Sequence, residues 1–285
     1  MRYALPAVLA VMLAVVGCTE MGSDRDRVDS ALRDHPFFKA FGAVPDNGKQ
    51  PPSGPCCDGD TTWPIGAWRD VSDPDVDYEI DVQHPYAYVD FHAHWPCTLR
   101  VVYTDIPDTS VRDTVVKPAP EFHGDLSFRF EFTGDDWELT DISPCDAEFD
   151  SAIGLMDIDS VQVSVRRGGT VIPYPTLDNT GLQPVDPYAY TFRAGDTIDL
   201  KLWETHAPSV RFHWTYLHGP PEHDYSPFGY EPDPGYWYGT WTINPVQESD
   251  SENWAWFEVI DLYAAMIDPE GPDRSVLWGV PYIVE

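Results

Sequence analysis

Hydrophobic and polar positions alternate through most of this chain, and the period of the alternation changes along it. Residues 4–16 (ALPAVLAVMLAVV) form an uncharged apolar run behind Arg2. A positive start, a short apolar core and small residues after it predict a cleaved export signal, and the run is too short to span a bilayer. Residues 19–33 are polar, with Val28 and Leu32 four apart and Ser23 and Asp26 at capping-box spacing, which predicts a helix. Asp34-His35-Pro36 breaks it, and a further helical turn is expected over 37–41, ended by Gly42. Residues 44–64 have prolines and glycines but no period and read as irregular.

From about residue 66 the period becomes two. Val76, Tyr78, Ile80 and Val82 alternate with acidic residues from Asp75 to Asp81. After His84-Pro85, Ala87, Val89, Phe91 and Ala93 alternate with Tyr86, Tyr88, Asp90, His92 and His94. Each reads as a strand with one buried and one wet face. Further strands are expected at 98–104, 112–117, 126–132, 137–142, 160–166, 188–193, 197–203, 209–217, 236–243, 254–263 and 275–284, with a hairpin turn at 133–136. The expected fold is mainly β. An α+β domain of short helices and a curved antiparallel sheet (65–157) precedes an immunoglobulin-like β-sandwich (158–285), with the signal at 1–17 and a tether, short helices and irregular segment at 18–64. Helices followed by a curved sheet over residues 23–145, with the strand Trp137-Glu138-Leu139 after an acidic turn, resemble NTF2-like or cystatin-like α+β domains.

The apolar run ends in Val15-Val16-Gly17-Cys18. This tetrapeptide resembles the lipobox of bacterial lipoproteins, which implies acylation of Cys18 as the first residue of the mature chain. Thr19 at the next position implies the outer membrane if the cell has one. The expected location is therefore extracytoplasmic, with the bilayer as a partner through the lipid on Cys18. Composition agrees with a folded, exported chain: 11 Trp, 15 Tyr and 13 Phe supply buriable surface. The 48 acidic residues against 17 basic ones give a net charge of −31, which repels nucleic acid and anionic headgroups, so neither is an expected partner and membrane contact is expected through the lipid on Cys18 and not through charge. A surface so acidic fits a saline habitat or cation binding.

Cys56, Cys57, Cys97 and Cys145 follow Cys18. An even number in an exported chain suggests disulfides, with three possible pairings; adjacent Cys56 and Cys57 are expected to pair separately with Cys97 and Cys145. Asp90, His92 and His94 share one strand face, a candidate transition-metal set. Phe91-His92-Ala93-His94-Trp95 also resembles the zinc strand of α-class carbonic anhydrases, with Pro96-Cys97 in place of that family's glycine. The resemblance lays His123, in Glu121-Phe122-His123, on the third-ligand position. Asp73-Pro74-Asp75-Val76-Asp77 begins like an EF-hand loop, but Tyr78 and His84 stand where that loop needs glycine and glutamate. Residues 217–238 read as a long aromatic loop carrying Tyr225, Phe228, Tyr230, Tyr236, Trp237 and Tyr238, a candidate surface for a glycan or an envelope protein. No nucleophile motif, phosphate loop or dinucleotide fingerprint occurs. The expectation is a non-catalytic binding or assembly module without a cofactor. The alternatives are a metal-dependent enzyme with Zn or Ca and a purely structural envelope lipoprotein.

Overall fold

The structure is a computed structural model describing residues 24–41, 62–71, 74–105, 112–116, 122–149, 152, 155–178, 180–185, 190–205, 213–219, 224–233, 235–243, 251–261 and 274–285. Two short helices lead the chain: α1 over 24–34 and α2 at Pro36–Ala40. The spacing of Val28 and Leu32 produces what it predicts, since both are fully buried. The His35 imidazole accepts the Phe37 N–H and Pro36 opens α2, so the break between the helices is also a cap.

The strands are β1 Thr62–Val71, β2 Asp75–Gln83, β3 Tyr86–Trp95, β4 Cys97–Asp105, β5 Arg112–Val116, β6 Phe122–Phe132, β7 Trp137–Ile142, β8 Cys145–Phe149 and β9 Asp157–Arg167. They continue with β10 Thr170–Pro173, β11 Gln183–Pro184, β12 Tyr190–Phe192, β13 Thr197–Thr205, β14 His213–Gly219, β15 Asp224–Pro227, β16 Gly229–Glu231, β17 Tyr236–Thr242, β18 Ser251–Asp261 and β19 Ser275–Val284. The fold is therefore mainly β, as the alternation predicts. The hairpin at 133–136 forms, closed by the Thr133 N–H on the Asp136 carbonyl, with Gly134 at φ 103°.

One large sheet runs β2-β3-β6 and then divides. The far edge of β6 pairs with β8 over Phe122–Asp125 and with β7 over Phe128–Phe132. β8 passes the sheet on to β19, β18, β14 and β15. β12 joins the last residues of β19 in parallel. A second sheet has the order β10-β9-β13-β17-β16, and a third is β1-β4-β5.

The helices cover one face of the large sheet. Phe41 packs 5.0 Å from Phe91 and 5.2 Å from Trp254, and the Trp254 indole N–H donates to the Phe37 carbonyl at 3.0 Å. Asp29 and Arg33 of α1 both hydrogen-bond the Tyr78 hydroxyl of β2, tying helix to sheet edge. Two glycines let indoles lie flat across neighbouring strands. A Cβ on Gly279 would sit 2.8 Å from the Trp256 ring, and one on Gly124 would sit 2.7 Å from the Trp95 ring.

The opposite face is divided in use. Over β19 it is covered by the second sheet, where Trp241, Phe192 and Tyr282 meet at ring distances of 5.2–6.1 Å. The alternating Val161, Val163, Val165, Ile198, Leu200 and Leu202 are buried from the second sheet's side. Over β2, β3 and β6 it remains polar and solvent-facing.

Strands β18, β19, β14 and β15 belong to the sheet begun by β2 and β3, so the large sheet crosses the expected division at 157/158. The local pattern carried most of the strands but not their partners, because pairing is decided by which edges meet. No helix among the described residues is long and apolar enough to cross a membrane.

Candidate functional site

Two solvent-facing surfaces have chemistry beyond the needs of the fold. The first is the polar face of β2, β3, β6 and β8. Alternation sends every second side chain outward, and the register aligns those side chains into rows. Asp75, His94, His123 and Glu148 are successive cross-strand partners. Asp77, His92, Asp125 and Asp146 form the next row. All eight positions of this grid are Asp, Glu or His.

Within the grid the His94 and His123 rings lie nearly parallel, 4.9 Å apart and 19° from coplanar. The His94 Nε2 atom is buried and has no hydrogen-bond partner. His92 Nδ1 meets Asp125 Oδ1 at 2.5 Å. This hydrogen bond, with the charges of Asp125, Asp90 and Asp77, raises the imidazole above its ordinary pKa against a smaller effect of desolvation. Desolvation by the surrounding strands, and then the charges of Asp157, Glu148 and Asp125, push the Asp146 carboxyl up to about 6. A shallow depression of about 490 Å³ lies over Asp75, Asp77, His92, His94, His123 and Asp125.

In the candidate set Asp90, His92 and His94, two members are engaged by other side chains. Asp90 accepts a hydrogen bond from the Ser127 hydroxyl at 2.8 Å, and His92 is engaged by Asp125. Among the described residues no group of three His, Cys, Asp or Glu side chains converges on one point, so the three-histidine arrangement implied by the carbonic anhydrase resemblance is not formed. Asp125 escaped attention, and the placement of His123 and Asp75 beside His94 was not legible, because both depend on strand register.

The second surface is the outward face of the second sheet. The predicted loop 217–238 is largely strand: it contains β15 and β16 and the ends of β14 and β17. Its rings divide accordingly. Phe228 and Trp237 are each 4% exposed, so they are core residues and present no ring to a partner. The Trp237 indole N–H donates to Glu204 at 3.0 Å, and Tyr230 packs 4.9 Å from Trp237, half-buried. The Tyr225 side chain lies outside the described residues. Tyr236 and Tyr238 point outward, and Tyr238 is 50% exposed.

Partners that the sequence pattern did not single out join them. Trp203 lies 5.5 Å from the Tyr236 ring, and the Lys201 ammonium sits 4.8 Å over that ring. Gln162, Ser164, Asp199 and Thr240 complete a groove of about 680 Å³. The Asp199 carboxylate is held by Arg166 at 2.7 Å.

Among the cysteines, Cys18, Cys56 and Cys57 lie outside the described residues. Cys145 is buried in β8 with a free thiol, and the expected pairing with Cys56 or Cys57 involves residues outside the described ones. Burial pushes that thiol well above its usual pKa, so it is an inert core residue. Cys97 is buried at the start of β4.

Comparisons with protein-family models, characterised proteins and solved structures return no match to this chain.

Proposed function

We propose that this chain is a lipid-anchored, non-catalytic binding module of the cell envelope, and that the outward groove of the second sheet takes a glycan. The supporting observation is the groove's chemistry. Sugar rings present C–H faces that pack on aromatic rings and hydroxyls that need donors and acceptors around them. Tyr238 and Tyr236 supply the rings, with Trp203 packed beside Tyr236, while Gln162, Ser164, Asp199 and Lys201 supply the polar rim. The flat, strand-borne arrangement holds these groups without loop ordering, which lowers the cost of binding. The lipid anchor rests on the lipobox resemblance at Cys18.

Two experiments test the two parts. Co-sedimentation with isolated peptidoglycan and with cellulose should retain the purified protein. The double variant Tyr236→Ala/Tyr238→Ala should lose about tenfold in retention, or about 1.4 kcal/mol, with unchanged thermal unfolding. No retention of the wild type, or equal retention of the variant, overturns the glycan reading and leaves a structural envelope protein. For the anchor, the full chain expressed in a bacterium should partition into the detergent phase of a Triton X-114 extract. Cys18→Ser should shift it to the aqueous phase; continued partition into detergent sinks the anchor.

A further inference from the structure

The histidine–carboxylate grid lies on a different sheet from the groove and has no part in glycan capture. We propose that it captures one divalent transition-metal ion of the zinc class between β2, β3 and β6, with His94 and His123 as the imidazole ligands and Asp75 as the carboxylate. The register carries the argument. Asp75 and His123 are the two direct cross-strand partners of His94, so three ligating side chains leave the sheet on one side from adjacent strands. Directly paired positions lie about 4.5–5.5 Å apart at Cβ, within reach of a shared ion.

The two imidazoles are stacked 4.9 Å apart, and the buried Nε2 of His94 makes no hydrogen bond. A buried imidazole nitrogen without a partner is costly, and coordination would satisfy it. Asp77, Asp125 and Asp146 in the next row concentrate cations at the depression without being required as ligands.

Donor chemistry selects the ion class. Calcium and magnesium prefer all-oxygen shells, whereas two imidazoles and one carboxylate suit zinc, nickel or copper. The donors do not converge as the side chains stand, so binding requires a turn of Asp75, which is exposed on the edge strand, and of one imidazole. His92 keeps its bond to Asp125 and stays outside the set. This separates the proposed site from a ligand set containing both histidines of β3.

The experiment uses the full chain, stripped with EDTA and titrated with ZnCl2 or CaCl2 by isothermal calorimetry, with bound metal counted after gel filtration. The expected result is about one zinc per chain. His94→Gln, His123→Gln and Asp75→Asn should each weaken zinc binding at least tenfold, and His92→Gln should weaken it less than threefold. Asp75→Asn lies on an exposed edge and protects the test against misfolding of a histidine variant. No stoichiometric zinc in the wild type overturns the proposal. So does zinc binding that survives all three variants, or calcium binding as tight as zinc, either of which would mean diffuse attraction to an acidic face. Peptidoglycan retention should be equal in these variants and the wild type, which separates this outcome from failure of the groove.

Discussion

Trp256→Ala should lower the free energy of unfolding by about 3–5 kcal/mol, the largest effect expected of any single truncation here. Trp256 is 1% exposed and lies at the centre of the helix-covered face. Its ring is 6.0 Å from Phe41, 6.2 Å from Trp95 and 6.2 Å from Trp254. Three elements far apart in sequence (the short helix α2, strand β3 and strand β18) meet on this one indole. Truncation removes its transfer energy and leaves a void that rigid neighbouring rings cannot fill. Urea denaturation followed by circular dichroism should show an earlier midpoint with an unchanged slope. Gly279→Ala provides the converse: its new Cβ meets the same ring at 2.8 Å, and overpacking should cost about 1–3 kcal/mol. A loss under about 1 kcal/mol for Trp256→Ala would mean that the helices do not pack on this face.

Asp196→Ala should cost about 2–3 kcal/mol at neutral pH, and the cost should fall in acid. Asp196 is 4% exposed at the turn between β12 and β13. Arg167 grips it with two hydrogen bonds of 2.9 and 2.5 Å, and the Arg193 backbone N–H adds a third at 2.8 Å. Removing the carboxylate leaves a partly buried guanidinium uncompensated, while the remaining solvent access of Arg167 keeps the cost below that of a fully enclosed pair. The Arg167 hydrogen bond chiefly, then the Arg193 N–H and the charges of both arginines, outweigh desolvation and hold this carboxyl below its usual pKa. With the folded-state pKa below the unfolded one, the group stabilises the fold at every pH above the unfolded value near 3.9. That stabilisation is lost as pH falls through the depressed folded value. Denaturation of wild type and variant at pH 7 and below pH 3 should therefore show a large difference shrinking toward zero. A difference independent of pH would attribute the loss to packing.

Local order was legible in the sequence wherever one period held for several residues. Val28 and Leu32 gave the helix stripe, and the alternations of Val76 to Val82 and Ala87 to Ala93 gave β2 and β3. Short elements escaped: β8 (Cys145–Phe149) follows Pro144 with too few residues to establish a period, yet it joins the two halves of the large sheet. The aromatic segment from Leu217 to Tyr238 read as a loop because its prolines and glycines hide short strands.

The sequence by itself determined the acidic surface, the export signal pattern, the mainly β character and the candidate ligand types on the wet face of β3. Those follow from composition and from a period of two, which are properties of neighbours along the chain. Only the tertiary structure decided which rings are buried and which are displayed, turning Phe228 and Trp237 inward and leaving Tyr236 and Tyr238 at the surface beside Trp203. It alone set His94 beside His123 and Asp75, because cross-strand register joins His94 to residues 29 and 19 positions away and a slip of one residue would turn each strand over.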